Sequence, residues 1–145
     1  MQYISTRGGD GPLGFEDTLL SGLARDGGLF VPKNYPQLSR DDWNALKGKS
    51  YTEIASTSMC YFNEVEISHD DLSAMVNEAY SGFAHDDVGP LVALDDNIHV
   101  CELFHGPTIA FKDYAMQFLS RAFDRALQTR GKRAVILGAT SGDTG

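Results

Sequence analysis

The chain has 145 residues, 42% of them hydrophobic, a composition ordinary for one soluble globular domain. Its 12 basic and 20 acidic side chains give a formal net charge of −8, which argues against nucleic acid as the main partner. No apolar run approaches the roughly 20 residues of a membrane span, no basic and apolar leader opens the chain, and Cys60 and Cys101 match no metal or redox spacing. A cytoplasmic protein is therefore expected, with reduced and buried thiols, no metal site and no membrane partner.

In chain order, Gly8-Gly9-Asp10-Gly11-Pro12 is a turn-rich stretch. Phe15, Leu19, Leu20 and Leu23 recur at helical spacing until Gly27-Gly28 stops them, and Leu29-Phe30-Val31 reads as a short strand ended by Pro32. Three helices with legible starts follow. Ser39 precedes Asp42, Trp43 and Leu46; Ser50-Tyr51-Thr52-Glu53 has capping-box spacing ahead of Ile54, Ala55 and Met59; Ser68 and Asp71 open a helix carrying Leu72, Met75, Val76, Ala79 and Tyr80. Their stripes read as core, and the isolated His69 and His85 as surface residues.

Gly82 to Gly89 is a connection, and the style changes at Pro90. Leu91–Leu94 and Ile98–Leu103 look like two strands around a turn at Asp95-Asp96-Asn97. Past residue 112, Ala115, Phe118, Leu119, Ala122, Phe123 and Ala126 form an apolar helix face opposite Arg121, Asp124, Arg125 and Gln128. Gly131 ends that helix, and Ala134-Val135-Ile136-Leu137 reads as a short buried strand. Strand, helix, strand predicts the beginning of an α/β domain with parallel pairing. Charge is uneven too: residues 1–100 hold 6 Lys/Arg against 16 Asp/Glu and residues 101–145 hold 6 against 4. This is either solvated surface acid in the first stretch or a second stretch suited to anionic ligands; charge alone does not separate the two.

Lys112 breaks a local rule. Unpaired N–H groups make a helix start positive, which favours an acid such as Asp113 and disfavours a cation. The helix start and the neighbouring Phe104, Ala110 and Phe111 would both oppose charge on that amine, and an uncharged lysine can attack a carbonyl. Position alone favours the plainer account, a lysine extending out of an apolar turn.

The surrounding run Glu102-Leu103-Phe104-His105-Gly106-Pro107-Thr108-Ile109-Ala110-Phe111-Lys112-Asp113 closely resembles the cofactor-lysine segment of the threonine synthase family. Phe15-Glu16-Asp17-Thr18-Leu19-Leu20-Ser21-Gly22-Leu23-Ala24-Arg25-Asp26-Gly27-Gly28-Leu29-Phe30-Val31-Pro32 resembles the opening segment of the same family, an independent match far upstream. The resemblance implies that Lys112 is the catalytic residue and carries pyridoxal 5'-phosphate as an internal aldimine, with Phe111 and Asp143 beside the cofactor. It implies conversion of O-phospho-L-homoserine and water to L-threonine and phosphate. The implied fold is a mostly helical domain over residues 1–85, followed over residues 86–145 by the beginning of an open α/β pyridoxal-phosphate domain. His105 either lines the site or, more simply, braces the turn that Gly106-Pro107-Thr108 shapes.

The last eight residues are Gly138-Ala139-Thr140-Ser141-Gly142-Asp143-Thr144-Gly145. Such a loop of Gly, Ser and Thr offers N–H and hydroxyl donors to an anion, though it is neither a P-loop nor a dinucleotide fingerprint; alone it is equally an ordinary turn. It resembles the family's Thr-Ser-Gly-Asp-Thr-Gly segment, which implies that Thr140, Ser141, Gly142, Asp143 and Thr144 bind the substrate. Related enzymes have Asn in place of Asp143, and a carboxylate donates as an amide does only when protonated. The family's loop for the cofactor phosphate lies farther downstream, so the chain is expected to be an N-terminal portion with little turnover by itself. The alternatives are a related enzyme that only eliminates phosphate, and a non-catalytic assembly module; the sequence leaves the oligomeric state open.

Overall fold

A computed structural model of the protein describes residues 1–63, 66–139 and Gly142. The chain is a mixed helix-and-sheet protein, as its sequence leads one to expect. It divides into two compact units, Met1–Ala74 and Met75–Gly145.

The first unit opens with β1 (Tyr3–Ser5), which the sequence pattern does not announce, followed by α1 (Phe15–Ser21) and β2 (Phe30–Pro32). β1 and β2 pair antiparallel, with Tyr3 opposite Pro32 and Ser5 opposite Phe30. α2 (Arg40–Ala45) and α3 (Tyr51–Asn63) follow. Both start as the serine spacings predict. Ser39 Oγ accepts the Asp42 N–H while the Asp42 carboxylate accepts the Ser39 N–H, and Ser50 and Glu53 repeat the exchange. Tyr3 is buried, and its hydroxyl donates to the Phe62 carbonyl at 2.7 Å.

Carboxylates close the rest of this unit by collecting N–H groups that would otherwise lack acceptors. Glu66 accepts from Phe15 N–H at 2.8 Å and from Glu16 N–H at 2.9 Å, one oxygen each, at the positive end of α1. A Cβ at Gly14 would meet the tip of the Glu66 side chain and shift the carboxylate from these two donors. Asp26 accepts from the Ser5 hydroxyl and from the N–H groups of Gly9 and Gly28, which gathers the glycine-rich turns. Asp10 takes the Arg25 guanidinium and the Arg25 and Gly11 N–H groups. The Arg25 guanidinium foremost, and then those two N–H groups, hold the Asp10 carboxyl far below the usual carboxylate range.

α4 (His69–Tyr80) carries the division between the units, starting with an Asp71 N–H bond to Ser68 Oγ. Leu72, Val76, Ala79 and Tyr80 are buried along its predicted stripe. The second unit continues with a hairpin of β3 (Leu91–Ala93) and β4 (His99–Cys101), Leu91 opposite Cys101 and Ala93 opposite His99. Asp95 Oδ1 accepts the Asn97 and Ile98 N–H groups and makes the turn. α5 (Asp113–Thr129) buries Ala122 and Ala126, and Arg121 on its supposed polar face pairs with Glu78 at 3.2 Å.

Three expectations need correction. Ala134 to Leu137 is not a buried strand: it has no regular structure, and Val135, Ile136 and Leu137 are 95%, 86% and 97% exposed. An apolar run becomes a strand only beside a partner ladder, and none lies along it among the described residues. Both observed sheets are antiparallel pairs, so no parallel pairing occurs among the described residues. Cys101 is also exposed rather than buried, on a hairpin all of whose strand residues face solvent, while Cys60 is half-buried and its thiol is pushed up by that burial.

Candidate active site

Lys112 is the N-cap of α5, with helical φ and ψ of −63° and −20° and no side-chain capping bond. A lysine has no acceptor and cannot cap a helix, so the first N–H groups must find partners elsewhere. The preceding tight turn supplies them. Asp113 N–H donates to the Ala110 carbonyl at 3.0 Å and Tyr114 N–H to the Phe111 carbonyl at 3.3 Å, while the Lys112 carbonyl receives Ala115 and Met116. The turn thus does the capping without the lysine side chain. Lys112 Nζ lies 4.8 Å from the centre of the Phe111 ring, within cation–π range.

Asp113 locks the turn. It is 3% exposed; one carboxylate oxygen accepts the Thr108 N–H at 2.8 Å and the other the Thr108 hydroxyl at 2.9 Å. Gly106 is required because a Cβ there would overlap Asp113. Ile109 sits at φ 66°, left-handed backbone that a β-branched residue rarely adopts, and its N–H donates to the Gly106 carbonyl at 3.0 Å. Such a residue stores about 1–3 kcal/mol and persists only where its surroundings over-determine it, as they do here.

His105 sits at the start of this turn. Its Nε2 is 2.8 Å from Glu102 Oε2, its carbonyl accepts the Ala84 N–H, and its ring packs on Phe104 and His85 with centres 4.6 and 5.1 Å away. Of the two roles read from sequence, these contacts describe the bracing one; His85 is exposed but belongs to that stack. Tyr114 completes the surroundings. Its hydroxyl lies 2.6 Å from the Val88 carbonyl and 3.2 Å from the Glu102 carbonyl, and its own carbonyl accepts the Tyr80 hydroxyl at 2.9 Å.

Among the predicted site residues, Lys112 and Phe111 are therefore together at one helix start. Thr140, Ser141, Asp143 and Thr144 lie outside the described residues, and Gly142 is exposed at φ 129°. Sequence reading credits Asp113 with satisfying a helix start but misses its bond to Thr108. The spacing of Thr108 and Asp113 about a glycine turn was the available signal. Tyr114 gives no such signal, because its partners are carbonyls brought close only by the fold.

A family model described as threonine synthase N terminus matches residues 2–80. The threonine synthase of Pseudomonas aeruginosa is 51% identical over the whole chain, which covers 31% of that protein. Among solved structures, PLP-bound threonine synthase from Brucella melitensis is 56% identical with a TM-score of 0.97 over 99% of this chain and 31% of its own. The yeast threonine synthase structure is 38% identical with a TM-score of 0.83 over 89% of this chain and 27% of its own. The chain spans about a third of the length of the curated relatives it matches.

Proposed function

The chain belongs to the threonine synthase N-terminus family, and from that premise we propose that it is the opening part of a pyridoxal-phosphate-dependent lyase. That enzyme converts O-phospho-L-homoserine and water to L-threonine and phosphate. The observation that carries the reading is Lys112, held at a helix start by a turn that caps the helix without using the lysine side chain. A primary amine so placed fits a cofactor that binds through its aldehyde. When bound, pyridoxal phosphate supplies an electron sink for chemistry next to the substrate amine.

The chain's own residues orient and exchange protons. Lys112 would hold the cofactor through Nζ and would serve as the local base and acid for proton transfer. Phe111 offers Lys112 Nζ a contact over its ring and would give the cofactor an apolar wall. The Asp113–Thr108 bonds hold the lysine in register, because small displacements of a reacting group are costly. Thr140, Ser141, Gly142, Asp143 and Thr144 would bind the substrate carboxylate through N–H and hydroxyl donors, with Asp143 also near the cofactor. We retain residues 1–85 and 86–145 as the functional domains of this reading, a division that keeps α4 whole.

The test is borohydride reduction of the full-length protein with pyridoxal phosphate, followed by peptide mass mapping. A reduced pyridoxyl adduct on Lys112 is expected, and labelling confined to other lysines would overturn the assignment. Product analysis with O-phospho-L-homoserine should give threonine; a keto acid instead would make this a phospho-lyase.

A further inference from the structure

The aromatic cluster behind the lysine has no part in the mechanism as derived, yet it converges on the first turn of α5. Tyr114 stands two residues after Lys112. Its hydroxyl donates to the Val88 carbonyl at 2.6 Å and lies 3.2 Å from the Glu102 carbonyl. One side chain therefore ties α5 to two separate segments, the connection before the hairpin and the start of the lysine loop. From behind, the buried Tyr80 at the end of α4 donates to the Tyr114 carbonyl at 2.9 Å. Phe83 meets both tyrosine rings edge-on, with centres 5.3 and 5.0 Å away.

The acceptors are as constrained as the donor. Val88 is buried at φ 61°, a conformation that a valine resists, and this directs its carbonyl to Tyr114. Glu102 is also the residue whose carboxylate engages His105. A phenylalanine at 114 would pack almost as well and donate nothing, so the hydroxyl is present for direction rather than volume.

We propose that Tyr114 is a positioning residue for Lys112: its hydroxyl fixes the angle of the first turn of α5 and hence where Nζ meets the cofactor. The inference rests on Lys112 being the cofactor lysine. Tyr114 touches no reacting group and acts through the backbone it shares with Lys112.

The experiment uses full-length protein loaded with pyridoxal phosphate, wild type against Tyr114→Phe. Tyr3→Phe, which removes a comparable hydroxyl-to-carbonyl bond in the first unit, controls for stability. With Tyr114→Phe, kcat should fall about 10-fold at unchanged KM. The pH midpoint of the cofactor's visible absorption should also move by about half a unit or more, because the amine's electrostatic surroundings change. Tyr3→Phe should leave both where they were. If Tyr114→Phe lowers only the melting temperature, with midpoint and kcat as in Tyr3→Phe, the positioning role is wrong. Should Tyr114→Phe not fold, Tyr80→Phe loosens the same turn from behind and must move the midpoint in its place; an unmoved midpoint there overturns the proposal. Borohydride mapping of the wild type keeps the two ideas apart. An adduct on Lys112 with an insensitive midpoint sinks this inference alone, whereas no adduct on Lys112 removes its premise as well.

Discussion

The two units solve the same problem with opposite chemistry. Met1–Ala74 ties its turns with carboxylates: Asp10, Asp26 and Glu66 each collect two or more donors, most of them backbone N–H groups. Around Lys112 in the second unit, a tyrosine hydroxyl reaches for carbonyls, and a single carboxylate, Asp113, locks the turn. Both units carry large apolar side chains that are more than half exposed, Leu23, Leu29, Tyr35 and Trp43 in the first and Leu91, Leu94, Ile98, Val135, Ile136 and Leu137 in the second. A carboxylate suits a turn whose N–H groups need acceptors, and a hydroxyl donor suits one whose carbonyls need a donor.

The most forceful way to test that contrast is to remove the lysine. Lys112→Ala in the full-length protein should reduce turnover by roughly 10⁴-fold or more, the scale seen when a covalent catalytic group is lost, with little change in urea unfolding. A variant retaining more than a few per cent of wild-type activity would remove Lys112 from the chemistry. Asp113→Ala should do the reverse in proportion, leaving two Thr108 donors without their charged acceptor. About 1.5–3 kcal/mol of stability should be lost, along with a weaker hold on the cofactor, both readable by urea titration with and without pyridoxal phosphate. Equal loss under the two conditions would mean that Asp113 serves the fold alone.

Much of this architecture was legible beforehand, for a physical reason. Ser39, Ser50 and Ser68 start helices through bonds spanning three residues, and Asp95 makes its turn over two or three, so sequence spacing alone carries the signal. Lys112 stood out because it violates the preference of a helix start. What escaped depends on distant partners. β1 exists because β2 lies beside it, Glu66 caps a helix 50 residues upstream, and the Tyr114 hydroxyl finds Val88 across 26 positions. Residues 134–137 failed the other way: their β-branched apolar run has strand propensity, but propensity without a neighbouring ladder makes no strand.

In the first unit, Glu66→Ala should cost about 0.5–2 kcal/mol, the range for losing a helix cap, with the pH midpoint of the cofactor band unchanged. A shifted midpoint would show that the first unit influences the lysine, and the contrast between units would lose its functional half.

The smallest effect is also the most diagnostic of the carboxylate strategy. Arg25 first, then the Arg25 and Gly11 N–H groups, depress the folded-state pKa of Asp10. The Ser5 hydroxyl first, with the Gly28 and Gly9 N–H groups, depresses that of Asp26. A depressed carboxyl binds fewer protons folded than unfolded, so its contribution is complete above the unfolded pKa of about 3.9 and drains away as pH falls through the folded value. Wild type and Asp10→Asn should therefore differ in stability at pH 7 and begin to draw together only as pH falls below about 4, as acid removes from the wild type what the substitution removed already. Curves that stay parallel down to about pH 2 would mean that the Asp10 charge contributes nothing to stability. The acidic character of the first unit would then be a matter of surface solvation rather than of how its turns are held.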